Sequence, residues 1–177
     1  MNAYGLRRLL AVTVASNEEE IMFAERLQRQ EIFHLLRPEQ VNLLSEASKV
    51  AKFKAGEVIY RQGEKADRFY IVLKGQVSLR LPAKTAGLSL LIDELTEGDM
   101  FGASVFAALD AYNLNAQCIE ESEILVISAS ALRAIMDEDP RIGYVIQARI
   151  SEIYFKRYVE AMEKLQAVVM NIPLELA

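Results

Sequence analysis

The stretch Lys54–Leu79, KAGEVIYRQGEKADRFYIVLKGQVSL, determines the fold class of this chain. Apolar and polar residues alternate in short runs, and Gly56, Gly63 and Gly75 separate these runs. A period of two is typical of β-strands with one buried face, and glycine tolerates the positive φ angles of tight turns. The stretch therefore predicts several short strands joined by turns.

The same pattern extends over residues 48–128, where Gly87 and Gly98 mark further turns. Many short strands at regular spacing indicate a closed or rolled all-β structure, so we expect about eight antiparallel strands here. The strands that the pattern identifies are VAKFK, EVIYRQ, RFYIVL, QVSLRL, LSLLIDEL, NAQCI and EILVIS.

Helical periodicity is present on both sides of this region. Asn17 is a candidate helix N-cap, and Pro38 predicts the start of a short helix with its apolar residues Val41, Leu43, Leu44 and Ala47 facing inward. After a short helix from Ala129 to Met136, Pro140 opens a long helix that continues to about Met170. Its apolar positions recur at steps of four and three: Ile142, Ile146, Ile150, Tyr154, Tyr158, Met162, Leu165 and Val169.

These elements predict one structural domain with three parts. They are an N-terminal helical extension (1–47), a β-roll region (48–128), and C-terminal helices with a tail (129–177). The fold class is mainly β with flanking α: a double-stranded β-helix, or jelly roll, with N-terminal helices and a long C-terminal helix.

Composition narrows the range of functions. The 177 residues include 20 Lys and Arg against 25 Asp and Glu, and the resulting net charge of −5 argues against nucleic acid as a partner. The longest N-terminal apolar run, Leu9–Val14, is too short for a membrane span, so no membrane association is expected. Cys118 is the only cysteine, which predicts a reducing, cytoplasmic location and no disulfide.

No catalytic or metal-ligand motif is present in the sequence. We therefore expect that the chain is not an enzyme and that it carries no cofactor or metal. His34 is the only histidine and fits packing or exposure better than a ligand role. Cys118 fits a buried strand position, and Glu120, Glu121 and Glu123 fit a solvated turn.

The order of elements, together with specific residues, resembles the cyclic nucleotide-binding domain family. The resemblance covers about residues 30–160 and rests on the glycines of Lys54–Leu79, on Asp67, Tyr70 and Val72, and on Asp99, Phe101 and Gly102. It implies a phosphate-binding cassette in which a short helix points backbone N–H groups at the cyclic phosphate. It also implies an arginine that pairs with the phosphate and a glutamate that binds the ribose 2′-hydroxyl.

This chain departs from the implied cassette at both charged positions. The segment Phe101–Cys118 reads FGASVFAALDAYNLNAQC, which places Ala103 at the glutamate position and Leu114 at the arginine position. We therefore expect weak or no binding of cyclic AMP and cyclic GMP. The candidate pocket residues are the cassette positions Phe101, Gly102, Ala103, Ser104, Val105, Leu114, Asn115 and Ala116. Such a pocket would suit an apolar or neutral small molecule, or be filled by the chain itself through the tail Ile172–Leu176.

The expected function is a non-enzymatic regulatory or sensor domain that acts through contact with an unknown protein partner. Two alternatives stay open: a diverged but functional cyclic nucleotide receptor, and a relative of transcription regulators without a DNA-binding domain. A homodimer is expected on the long helix through Tyr154, Tyr158, Met162, Leu165 and Val169. The N-terminal apolar residues Leu6, Leu9, Leu10 and Val14 could cover the same stripe instead.

Overall fold

The computed structural model describes residues 23–83, 87–107 and 109–170. The predicted Asn17 cap, the Leu6–Val14 stripe and the Ile172–Leu176 tail lie outside these residues. The described chain begins with a helical segment at 23–28 and a 3-10 turn at Glu31–Phe33, followed by helix α1 at Pro38–Glu46. The predicted start at Pro38 is confirmed, and the side chain of Gln40 accepts a hydrogen bond from the Arg37 amide at 3.0 Å.

One inward-facing assignment in α1 is wrong. Val41 and Leu44 are buried as predicted, but Leu43 is 41% exposed. Residues three apart share one face of a helix, whereas Leu43 is turned by about 100° from Leu44 and therefore faces solvent. Gln40 takes the buried position instead.

The central region is a jelly roll, as predicted. The strands among the described residues are β1 Ser48–Phe53, β2 Val58–Tyr60, β3 Arg68–Lys74, β4 Val77–Pro82, β5 Ser89–Leu95, β6 Met100–Phe101, β7 Asn115–Cys118 and β8 Ser122–Ser128. They form two four-stranded antiparallel sheets, in the orders β1-β8-β3-β6 and β2-β7-β4-β5.

Strand β3 separates two hydrophobic cores, which explains its nearly continuous apolar sequence. Phe69 and Ile71 pack into a core shared with the helices, which we call the helix-side core. Tyr70 and Val72 point the other way, into a core between the two sheets, which we call the roll core. Because side chains alternate across a strand, one seven-residue segment supplies both cores.

Gly75 shows why the turns of the roll need glycine. Its φ is +93°, and a Cβ there would lie 2.7 Å from the carbonyl oxygen of Glu121. The predicted turn glycines Gly56, Gly63, Gly87 and Gly98 also have positive φ angles.

Two helices complete the fold: α2 at Ala129–Glu138 and α3 at Pro140–Met170. The first turns of α3 bury Ile142, Ile146 and Ile150 in the helix-side core. Beyond Ile153 the apolar residues are mostly exposed, so only the first part of the predicted stripe is covered by the roll and α2. At 1.5 Å per residue, α3 is about 45 Å long.

Candidate ligand-binding cassette

The cassette begins where β6 ends. Phe101 pairs with Tyr70 of β3, Gly102 turns the chain with φ +78°, and a 3-10 helix follows at Ala103–Phe106. A Cβ on Gly102 would lie 2.7 Å from the Tyr70 ring, so only glycine allows the backbone to approach strand β3 this closely. The sequence predicted the cassette helix but not the two-residue strand β6 that anchors it.

Four aromatic rings fill the roll core beside the cassette. The Tyr60 and Tyr112 rings are stacked with centroids 3.8 Å apart, and the Tyr70 and Phe101 rings are stacked at 4.9 Å. The Tyr112 hydroxyl donates to the Arg68 carbonyl at 2.9 Å. Burial raises the pKa of Tyr60, Tyr70 and Tyr112, so these phenols stay neutral at physiological pH. Sequence reasoning missed this cluster, although Tyr60 and Tyr70 lie in the stretch that determines the fold class and Tyr112 lies in the cassette segment.

A phenol hydroxyl contacts the first backbone amide of the cassette helix. The Ala103 N–H donates to the hydroxyl of Tyr154, on α3, at 3.2 Å. Burial raises the pKa of Tyr154. Amides at a helix start are natural donors for an anion, and here one of them is hydrogen-bonded to the protein's own phenol.

Helix α3 is held against the cassette side of the roll by two further contacts. Arg157 Nε lies 2.7 Å from Asp93 Oδ2 of β5, and these side chains are only 14% and 20% exposed. Within α3, the Arg157 guanidinium lies over the Tyr154 ring, 5.4 Å from its centroid. Further along, Lys164 Nζ donates to the Ile92 carbonyl at 3.4 Å. Sequence reasoning identified neither Asp93 nor Ile92 as a partner of α3, because each pair is far apart in sequence.

The structure divides the predicted pocket residues between the two cores. Phe101, Leu114 and Ala116 pack in or against the roll core, so Leu114 lies against the aromatic cluster. Ala103 and Val105 belong to the helix-side core instead. Ser104 is buried in the cassette helix. The Asn115 side-chain oxygen accepts a hydrogen bond from the Gln62 amide at 2.7 Å, outside the aromatic cluster.

The remaining candidate residues lie away from the cassette amides. Cys118 is buried, and burial raises the pKa of its thiol. His34 is exposed, on the turn after the first 3-10 helix. Glu123, predicted as part of a solvated turn, lies in β8 and forms ion pairs with Arg26 at 3.0 Å and Lys52 at 3.4 Å. Within the described ranges, no three His, Cys, Asp or Glu side chains are grouped closely enough to bind a metal.

Among the residues that the structure describes, no helix is both long enough and apolar enough to span a bilayer.

Comparison with known proteins gives consistent results. A family model described as "Cyclic nucleotide-binding domain" matches residues 50–139. A cGMP-dependent protein kinase of Plasmodium berghei is 28% identical over 163 residues, covering 86% of this chain and 18% of the kinase. A cAMP-dependent protein kinase regulatory subunit of Dictyostelium discoideum is 31% identical over 105 residues, covering 58% of this chain and 31% of that subunit.

Solved structures show the same fold. The sensor domain of the transcriptional regulator DNR from Pseudomonas aeruginosa superposes with a TM-score of 0.69 at 21% identity, covering 90% of this chain and 99% of that domain. The chain spans less than a third of the two kinase-related proteins, so the fold and the family are shared at the level of this domain. With half of its length matched by the family model and its jelly roll and cassette in place, the chain belongs to the cyclic nucleotide-binding domain family.

Proposed function

We propose that this chain is a non-enzymatic regulatory domain that binds cyclic AMP and cyclic GMP weakly or not at all. The observation that carries the proposal is the hydrogen bond from the Ala103 amide to the Tyr154 hydroxyl. In the bound state implied by the family resemblance, the ligand's polar groups face this part of the cassette. A nucleotide entering there would have to displace Tyr154 and, with it, part of α3.

The missing charged side chains act in the same direction. A hydrogen bond to a charged group contributes about 1.5–3 kcal/mol, so losing both anchors costs about 3–6 kcal/mol, or two to four decades in affinity. Leu114 adds apolar surface packed against the aromatic cluster where a guanidinium would be needed. Desolvating a phosphate against that surface is unfavourable.

The input signal of such a domain would then be a neutral or apolar small molecule, or no small molecule. The aromatic cluster supports this proposal, because Tyr60, Tyr70, Phe101 and Tyr112 occupy the roll core with closely packed rings. The chain would fill its own pocket with these side chains and with Tyr154. The part expected of the tail, Ile172–Leu176, lies outside the described residues.

Isothermal titration calorimetry of the full chain with cyclic AMP and cyclic GMP tests the proposal. We expect dissociation constants above about 1 μM for both nucleotides, and a tighter constant for either would favour the diverged receptor instead. The variant Ala103→Glu/Leu114→Arg should raise the affinity. Its uncharged control, Ala103→Gln/Leu114→Gln, should not. Because Ala103 is 5% exposed, the thermal unfolding midpoint of each variant must be measured alongside.

We further propose that the domain is a homodimer through the outer face of α3. Phe155, Tyr158, Val159, Met162 and Leu165 are 69%, 60%, 39%, 45% and 54% exposed. At about 100° per residue, Phe155, Val159 and Met162 lie roughly opposite Arg157 and Lys164, which contact the roll, and Tyr158 and Leu165 lie at the edge of the same face. A continuous apolar stripe of this kind is uncommon on monomers, and a two-fold axis lets one stripe cover itself.

Tyr154, also expected in the dimer helix, contributes its hydroxyl to its own cassette while its side chain is 39% exposed. The side chain of Val169 is not among those that the structure describes.

We treat the chain as one structural domain with the divisions 1–47, 48–128 and 129–177. A helix-side core that joins α1, β3, α2 and α3 supports this division.

The output would be contact with a protein partner in the cytoplasm. A role in transcription is the second alternative. The relatives include a cAMP-activated transcriptional regulator of Mycobacterium tuberculosis that is 27% identical over 119 residues, and the match covers 53% of that regulator. The family therefore does not support the expectation that nucleic acid is excluded. An electrophoretic mobility shift assay of the full-length protein tests this alternative.

A further inference from the structure

A second concave region lies behind the cassette, on the helix side rather than in the roll. It is a partly open groove of about 1000 Å³ between the start of β3, the cassette helix and the start of α2. The predicted pocket residues do not describe it, except for Val105 on its wall. Its volume is at the upper end of the range for small-molecule sites.

One wall of the groove is apolar. Val105 is fully buried, Phe106 is half-buried, and Leu109 is 48% exposed. The Phe106 ring is fixed by an edge-to-face contact with Phe69, at 5.4 Å between centroids. This wall is therefore a preformed surface that an apolar group could cover.

The rim of the groove is cationic. Lys65, Arg68 and Arg133 line it, against the two carboxylates Asp67 and Asp110. Asp67 is already engaged by Arg68 at 3.5 Å, and no ion pair of Lys65 occurs among the described residues. The groove thus has one net positive charge on a chain whose net charge is −5, which favours an anion locally.

The groove is also joined to the cassette. The Arg133 guanidinium, from α2, donates to the Val105 carbonyl in the cassette helix. An anion in the groove that also reached Arg133 would compete with this carbonyl and weaken the hold on the cassette helix, which has a single turn. Binding in the groove and the conformation of the cassette would then be coupled.

We propose that this groove binds a small amphipathic anion, a carboxylate with an unbranched apolar chain. The carboxylate would pair with Lys65 and Arg68, and the chain would lie against Val105, Phe106 and Leu109. The inference is independent of the function proposed above, because the Tyr154 hydroxyl is hydrogen-bonded to Ala103 and to none of these side chains. Arg68 contacts the roll core through its backbone, which is hydrogen-bonded to the Tyr112 hydroxyl, and its guanidinium lines the groove.

The test is an amide chemical-shift titration of the full ¹⁵N-labelled protein with decanoate, below its micelle concentration. We expect saturable shifts at Ala66, Leu109 and Ala129, and a dissociation constant weaker by about tenfold in Lys65→Gln/Arg68→Gln. The matched control is Lys74→Gln, an exposed lysine at the end of β3 that does not line the groove. It should bind decanoate like the unmodified chain.

Three results would overturn the proposal. They are equal binding of the uncharged analogue 1-decanol, equal decanoate affinity in the double variant and in Lys74→Gln, and saturable shifts confined to the outer face of α3. Inorganic phosphate alone should bind more weakly than decanoate. Equal affinity for phosphate and decanoate would mean that the apolar wall does not contribute to binding. Should the double variant not fold, Lys65→Glu alone gives the same comparison with a reversed charge.

Discussion

The backbone amide of Ala103 donates a hydrogen bond to the hydroxyl of Tyr154, 51 residues later, at 3.2 Å. This contact joins the first residue of the cassette helix to the middle of α3. The buried Ala103 amide is thereby satisfied within the protein. The position of α3 and the availability of the cassette are therefore linked through one phenol.

Replacing Tyr154 with phenylalanine removes this acceptor and keeps the ring. We expect a loss of about 0.5–1.5 kcal/mol in the free energy of unfolding, together with faster hydrogen exchange at the Ala103 amide. Chemical denaturation and amide exchange measure the two effects. Tyr144→Phe is the matched control, because Tyr144 on α3 is 76% exposed and lies outside both the cassette and the proposed dimer stripe, and it should change neither value. Equal exchange rates at Ala103 in both variants would mean that the hydrogen bond does not protect this amide.

Gly102 gives a second test of the cassette geometry. Gly102→Ala combines a positive φ of 78° with a Cβ only 2.7 Å from the Tyr70 ring, so we expect a loss of more than about 2 kcal/mol in the free energy of unfolding. Gly63→Ala shares the positive φ but has no atom within 4 Å of the added Cβ, and it should cost only about 1 kcal/mol. Urea denaturation of both variants separates the cost of the contact with Tyr70 from the cost of a positive φ at a residue with a side chain. Equal losses would place Tyr70 farther from Gly102 than described.

The roll was predictable because each strand is encoded locally. Short apolar runs in β3 and β8 and glycines at positive φ angles specify strands and turns within a few residues. Strand β6 was missed because a two-residue strand has no period to detect. Leu43 was misassigned because an apolar residue beside a true core position carries no sign of its exposure.

The site was less predictable, since its contacts join distant segments. Ala103 and Leu114 could be identified as uncharged from the sequence, and the structure places Leu114 against the aromatic cluster. That Tyr154 and Arg157 turn toward the roll could not be predicted, because a helix with apolar residues on more than one face does not specify which face packs inward. The ion pair of Arg157 with Asp93 fixes that choice in the structure.

The ion pairs of Glu123 with Arg26 and Lys52 predict a contribution to stability that is lost in acid. Its pKa is lowered from 4.5, first by the hydrogen bond from Arg26 and then by Lys52. A carboxyl whose pKa is lowered by folding stabilises the protein above its ordinary pKa, and this contribution is lost as the pH falls through the lowered value. The free-energy difference between the unmodified chain and Glu123→Gln should be constant above about pH 5 and shrink below pH 4.5.

Because Arg26 and Lys52 are about half and three-quarters exposed, the effect should be small and should decrease with added salt. Urea denaturation at several pH values and two salt concentrations measures it. Glu160→Gln is the control, since its partner Lys156 is 79% exposed and 3.9 Å away. A difference for Glu123→Gln that grew as the pH fell would contradict the ion-pair assignment.

The outer face of α3 makes the final prediction, which concerns assembly. Light scattering of the full chain at micromolar concentration should give about twice the monomer mass of 19.9 kDa. Met162→Glu/Leu165→Glu should return the mass to that of the monomer, because two facing stripes would then bring like charges together in an apolar contact. The control is Lys156→Glu, which makes α3 more negative by the same two charges but leaves Tyr158, Met162 and Leu165 intact; it should stay dimeric. A mass of 19.9 kDa for the unmodified chain would contradict the dimer and favour coverage of the stripe within one chain.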